Sequence, residues 1–139
     1  MTSQSERLSR HADLTAESPD RDEFDGLVKS GTNRLRDAAN KTLAMESRFD
    51  LAYNAAFVLS HAALRYRGYR AAKRYVVFQV LEDTLGLKAP VWRVLANAHN
   101  ARNRSVYEGA LDVDERLLQD LLTAVAAVAD AIGQLPRLK

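Results

Sequence analysis

The stretch WRVLANAHNARNRSVY, residues 92–107, organises the interpretation of the whole chain. On a helix of about 100° per residue, five apolar residues in this stretch or directly before it fall on a single face. These residues are Val91, Val94, Leu95, Ala98 and Val106. Arg102 falls in the middle of that face. A guanidinium cannot lose its charge, so an arginine in this position requires a carboxylate, a bound anion or a hydrated subunit interface.

The composition excludes several classes of protein. The 139 residues fit one domain, and the chain has no cysteine, which excludes disulfides, thiolate metal sites and cysteine nucleophiles. Three scattered histidines have no metal-ligand spacing, and we expect neither a metal nor a cofactor. No apolar run approaches the roughly 18 residues of a membrane span, and the N-terminus lacks the apolar centre of a signal peptide. We therefore expect a soluble, cytoplasmic protein.

The positive charge is concentrated in the middle of the chain. The net charge is only +2, but residues 51–107 hold nine Lys and Arg against two acids, a balance of +7. The balance is −2 over residues 1–50 and −3 over residues 108–139. The central part is therefore where an anionic partner would be attracted.

The pattern of apolar residues predicts an all-α fold, an antiparallel bundle of four to five helices. Residues 1–20 are polar and without a sustained period, so we expect a flexible segment with at most one turn of helix. Residues 21–139 form the single domain. Helices are expected at about 21–44, from Ser47 to 67, at 75–85 with Gly86 as C-cap, from Pro90 to Gly109, and from a cap at Asp112 or Asp114 to about 135.

The second of these helices has two distinct sides. One side is rich in alanine, which allows close approach of a neighbouring helix, so we expect this helix to be central. The other side gathers the polar residues Asp50, Asn54 and His61 along with Phe57 and Leu64. A polar line on a central helix needs partners or water. It is either a hydrogen-bonded seam between helices or one wall of an active cleft.

The connection after this helix, RYRGYRAAKRY at residues 65–75, is strongly basic. Its cations alternate with tyrosines around Gly68. They are Arg65, Arg67, Arg70, Lys73 and Arg74. Cations can neutralise phosphates and tyrosines can stack on bases, so one interpretation is a nucleic-acid contact. The alternative is a solvated connection whose tyrosines cover the end of the bundle.

The candidate site lies on the fourth helix. His99, Arg102 and Asn103 stand at i, i+3 and i+4, so their side chains can meet. Tyr107 is about 140° around from Arg102 on a regular helix. It joins the group only if the last turn bends or if a second subunit brings its own copy. For Arg102, a structural salt bridge to Asp50 and a functional role remain open alternatives.

The order of helices, the segment Leu51–Ala56, and Arg102-Asn103 followed by Tyr107 before an acid and a glycine resemble the HEPN superfamily. These are small helical bundles often encoded beside a minimal nucleotidyltransferase, and the resemblance covers about residues 22–135. Many members are dimeric, metal-independent ribonucleases in which an arginine and a histidine of each motif face a shared cleft. The resemblance implies that Arg102 binds the scissile phosphate, that Asn103 orients it, and that position 107 handles the 2′-hydroxyl proton.

This chain departs from that pattern because Tyr107 stands where the nucleases have histidine. A tyrosine hydroxyl, with a pKa near 10, is a poor base at pH 7. The first hypothesis is therefore a homodimeric binding module, in a toxin–antitoxin setting, whose basic cleft holds RNA, a nucleotide or a nucleotidyltransferase partner. The cleft would be lined by Asp50, Asn54, His61, His99, Arg65, Arg70, Lys73 and Arg74.

Three other hypotheses remain open. One is a toxin-type endoribonuclease that uses Arg102 and Tyr107, with His99 or His61 as a substitute base. Another is a helical adaptor without an anion site, in which Arg102 pairs with a carboxylate of its own subunit and no cleft is open. The third is helix-turn-helix DNA binding through the basic connection and the short third helix.

Overall fold

The structure is a computed structural model that describes residues 4–108 and 113–138, with side chains described for 5–104 and 113–138. The described part is mostly helical, as the sequence predicts, and adds one small antiparallel sheet that it does not predict. In chain order the elements are α1 Gln4–Arg10, β1 Leu14–Ala16, α2 Arg21–Ala38, α3 Met45–Tyr66, β2 Tyr69–Ala71, α4 Arg74–Gln79, α5 Leu81–Leu85, α6 Ala89–Glu108 and α7 Glu115–Gly133.

Helix α3 is the centre of the bundle and packs against α2, α7, α4, α5, α6 and β2. Its alanines are completely buried, which lets its neighbours approach closely. Helix α2 approaches it closely at Gly31, where an added Cβ would lie 2.5 Å from Cγ of Leu59. The expectation that the alanine-rich helix is central is therefore confirmed.

The boundaries of α2 and α3 differ from the prediction. Helix α2 ends at Ala38 rather than near residue 44, and Oδ1 of Asn40 accepts hydrogen bonds from the backbone N–H and hydroxyl of Thr42. Such local bonds compete with helix continuation. Helix α3 begins at Met45 after Ala44, which makes no side-chain cap, so the prediction of a cap at Ser47 is wrong. Tertiary contacts hold this end of the helix instead, since Phe49 is completely buried and Nε of Arg48 donates to the carbonyl of Ala38.

The first 20 residues contain more secondary structure than the sequence predicts. Helix α1 has two turns, and its Leu8 is only 2% exposed within the core. Strand β1 pairs with β2 in the register Leu14↔Ala71, Thr15↔Arg70 and Ala16↔Tyr69. The prediction of at most one helical turn is wrong here because both elements are short and are stabilised by distant parts of the chain.

The predicted third helix is two short helices separated at Val80, where φ is −97° and ψ is 9°. Gly86 ends α5 with φ of 74°, which confirms the predicted C-cap. Asp114 caps α7 by accepting the backbone N–H of Leu117 at 2.7 Å, which confirms the second of the two predicted caps. The predicted end of α6 at Gly109 and the alternative cap Asp112 lie outside the described residues. None of the helices in the described ranges is long and apolar enough to cross a membrane.

Candidate functional site

A polar and aromatic cluster joins the first half of α3 to the second half of α6. We call it the α3–α6 cluster, and its members are Asp50, Tyr53, His99, Arg102 and Asn103. Nε of Arg102 donates to Oδ1 of Asp50 at 3.2 Å. The guanidinium carbon of Arg102 lies 5.0 Å from the centroid of the Tyr53 ring, within cation–π range. Helix packing thus brings together four of the residues that the sequence singles out, all but Tyr53.

His99 links the two helices through both of its ring nitrogens. Nδ1 lies 2.9 Å from the hydroxyl of Tyr53, and Nε2 lies 3.1 Å from the amide nitrogen of Asn103. Because an amide nitrogen only donates, Nε2 accepts in this arrangement and the proton of a neutral ring lies on Nδ1. The ring also contacts Tyr75 and Phe78.

The surroundings of His99 keep its ring neutral at pH 7. Burial lowers the pKa of His99 below its usual value of 6.5, and the nearby charges of Arg102 and Arg74 lower it further. A neutral imidazole can act as a base in principle. Here, however, both nitrogens already bind protein groups, so the ring serves first to orient Asn103 and Tyr53.

The ion pair between Arg102 and Asp50 lies at the surface of the bundle. The side chain of Arg102 is 31% exposed and that of Asp50 is 57% exposed. Leu95 and Ala98, on the same face of α6, are completely buried, so the face leads from the core to solvent at Arg102. An exposed pair of this kind contributes about 0–1 kcal/mol. Of the partners that the sequence analysis allows for Arg102, the structure thus provides a carboxylate, and this carboxylate is accessible to water.

The polar line further along α3 is largely satisfied within the bundle. The side-chain amide of Asn54 donates to the carbonyl of Asp50 at 2.8 Å. The rings of Phe57 and His61 are stacked, with centroids 5.9 Å apart. The guanidinium carbon of Arg74 lies 4.5 Å from the Phe57 centroid. This part of the line fits a seam between elements better than the wall of an open cleft.

Two of the basic residues that the sequence offers for nucleic-acid contact lie in an internal ion-pair network. Arg65 is 2% exposed, and its Nε donates to Glu23 at 2.5 Å. Nη2 of Arg70 donates to Glu23 at 2.8 Å and to Glu17 at 2.7 Å. Hydrogen bonds from Arg70 are the main cause that lowers the pKa of both glutamates. Arg65 and Arg70 therefore connect α3 and β2 to the loop after β1 and to the first turn of α2.

His61 lies at the edge of this network, with Nε2 3.4 Å from Nη1 of Arg70. Burial lowers its pKa, and the charge of Arg70 lowers it further, so the ring is neutral at pH 7. Lys73 is 72% exposed and lies 4.0 Å from Asp13, away from the α3–α6 cluster. Tyr107 belongs to the last helical turn of α6, and its side chain lies outside the described residues.

Sequence reasoning missed Tyr53, the buried residue on which Arg102 and His99 converge. The available signal was a tyrosine inside an alanine run, three positions after Asp50 and so on a neighbouring part of the helix surface. Three cavities among the described residues are lined by residues outside this cluster. In the same part of the chain, no group of three or more potential ligands could hold a metal ion.

Comparison with known proteins finds no family model that matches this chain. It likewise finds no curated protein and no solved structure that matches it. The interpretation of the α3–α6 cluster therefore depends on its own chemistry.

Proposed function

We propose that this protein is a binding module that holds RNA or a nucleotide by a phosphate group at the exposed end of the α3–α6 cluster. Arg102 supplies the charge and the planar fork that suits phosphate, and Asn103 supplies an adjacent amide donor. The observation that carries the proposal is the partly exposed side chain of Arg102, whose guanidinium contacts the Tyr53 ring and whose Nε donates to the exposed carboxylate of Asp50.

The pairing of Arg102 with Asp50 is also what a helical adaptor without an anion site would have. Energetics favour the binding module over that alternative. An exposed pair contributes at most about 1 kcal/mol, whereas charge-assisted bonds from a guanidinium to phosphate are among the strongest in proteins. A phosphate can therefore take the place of Asp50 on Arg102. Asp50 then acts as a weak competitor that screens the site when no ligand is present.

The resemblance to the HEPN superfamily extends this proposal to a homodimer in which two copies of the cluster face one cleft. A nucleotidyltransferase partner within a toxin–antitoxin pair is the alternative occupant. Arg65 and Arg70 are paired with Glu17 and Glu23, but the charge of Arg74 acts on His99 together with that of Arg102, which supports attraction of an anion to the cluster. Light scattering tests the dimer independently of the ligand.

The direct test is equilibrium binding of a labelled single-stranded RNA and of ATP to the protein and to Arg102→Ala. We expect at least a tenfold loss of affinity, since a charged hydrogen-bonding partner contributes about 1.5–3 kcal/mol. Arg104→Ala is the matched control, because Arg104 is exposed on the same helix and points elsewhere. Unchanged affinity in Arg102→Ala would exclude this site and favour the adaptor.

A second candidate, a metal-independent ribonuclease, is favoured by one specific observation. His99 is neutral and close enough to Arg102 for that charge to lower its pKa, so its ring would be a base beside a phosphate-binding cation once Asn103 releases Nε2. Such an enzyme would cleave RNA in EDTA and leave 2′,3′-cyclic phosphate ends, and His99→Gln would abolish the cleavage. Intact RNA at high protein concentration, together with measurable binding, would leave the binding module as the function.

A further inference from the structure

A cavity of about 480 Å³ lies between α2 and α7, on residues that the proposed function does not use. We call it the α2–α7 groove. Its volume falls in the range of about 300–1,000 Å³ that is usual for small-ligand sites. Partly buried apolar side chains line it, namely Leu35, Leu122 and Ala126. The groove thus offers an apolar surface large enough for an aliphatic chain.

Three cations share the lining of this groove: Arg36, Lys41 and Arg48. None of the nine lining residues carries a carboxylate. Among the residues that the structure describes, none of the three cations forms an ion pair. The groove therefore combines apolar contact with uncompensated positive charge.

Arg48 is held in place for binding an anion. Its Nε donates to the carbonyl of Ala38 at the end of α2, at 2.8 Å. Within the described ranges this is the single hydrogen bond of the Arg48 side chain, so its two terminal nitrogens still have N–H groups to donate. A guanidinium fixed at Nε with its far edge available suits a carboxylate, which it can bind through two parallel bonds.

We propose that the α2–α7 groove binds an amphipathic carboxylate, a medium-chain fatty acid. The chain packs on Leu35, Leu122 and Ala126, and the carboxylate binds Arg48 with Lys41 alongside. A nucleotide is a poorer match because none of the lining residues is aromatic, so a base would have nothing to stack on. This site is independent of the α3–α6 cluster, and either can fail without the other.

The test is a titration of the full chain with octanoate, below the concentration at which it forms micelles, followed by backbone amide NMR. We expect saturable shifts confined to the groove, around Leu35 and Leu122. Acetate, which lacks the chain, and octyltrimethylammonium, which reverses the charge, should each bind at least tenfold more weakly. Equal binding of octyltrimethylammonium, or shifts spread over other surfaces, would overturn the proposal.

Variants assign the binding to the groove. Arg48→Met keeps the aliphatic stem and removes the charge, and we expect about a tenfold loss of octanoate affinity. Arg21→Met is the matched control, since Arg21 is exposed at the other end of α2, about 22 Å along the helix from Arg36 of the groove. If Arg48→Met fails to fold, Ala126→Phe fills the groove without changing a charge and should also abolish binding. An acidic amphipathic peptide that binds where octanoate does not would refute the fatty-acid assignment.

Discussion

The substitution Asp50→Asn separates a binding module from an adaptor. Oδ1 of Asp50 lies 3.2 Å from Nε of Arg102 at the surface. Under the proposed function, Asp50 therefore competes with an external anion for this nitrogen. The exposures of 31% and 57% mean that water and salt screen this pair, so its contribution is about 0.2–1 kcal/mol. An anionic ligand must overcome that contribution before it binds. Removing the carboxylate while keeping the shape of the side chain removes the competition.

We expect Asp50→Asn to tighten RNA binding by about two- to fivefold, since about 1.4 kcal/mol corresponds to a factor of ten. The free energy of unfolding should fall by less than about 1 kcal/mol. The assay is fluorescence anisotropy of a labelled single-stranded RNA, at low and at high salt. The gain in affinity should shrink as salt screens the charges.

The matched control is Asp130→Asn, which removes one exposed negative charge from α7, away from the cluster. An equal gain in both variants would mean that overall charge, and not competition at Arg102, raises the affinity. Unchanged or weaker RNA binding in Asp50→Asn would refute the competition itself. An adaptor predicts only the small loss of stability.

Three further predictions concern the stability of the fold. Gly31→Ala should lower the free energy of unfolding by about 1–3 kcal/mol in urea denaturation, because its Cβ would lie 2.5 Å from Leu59. Gly26→Ala is the control: the space around Gly26 is open, so this variant should raise the free energy of unfolding by about 0.5–1 kcal/mol. Leu8→Ala should cost about 2–4 kcal/mol in the same assay, and a negligible effect would mean that α1 does not anchor the chain. Hydrogen bonds from Arg70 and Arg65 lower the pKa of Glu23 in the folded state below 4.5. The contribution of Glu23 to the free energy of unfolding is therefore fully present above pH 4.5 and is lost as the pH falls through the pKa of the folded state. Glu23→Gln should therefore flatten the acid limb of a plot of stability against pH, and an unchanged acid limb would contradict that role.

The sequence predicted the parts of the fold that depend on local pattern. Apolar periodicity identified the long helices, and the alanines of α3 indicated its central place. The residue types identified Gly86 as a C-cap and narrowed the N-cap of α7 to Asp112 or Asp114. These predictions are correct because each depends on residues that lie within about one helical turn of one another. The proximity of His99, Arg102 and Asn103 on one helix follows in the same way.

Long-range packing decided the remainder of the site. The partners of Arg65 and Arg70 are Glu17 and Glu23, more than 40 residues away in sequence, so no local pattern distinguishes these arginines from free surface cations. Tyr53 became the meeting point of Arg102 and His99 only because α6 packs across α3.

What the sequence by itself determined is a helical chain with a charged residue on an apolar face of its fourth predicted helix. What only the tertiary structure decided is where that face meets water and which acid meets the charge. The physical reason is that helical periodicity is encoded by adjacent residues, whereas burial and ion pairing depend on surfaces that come together only when the whole chain folds.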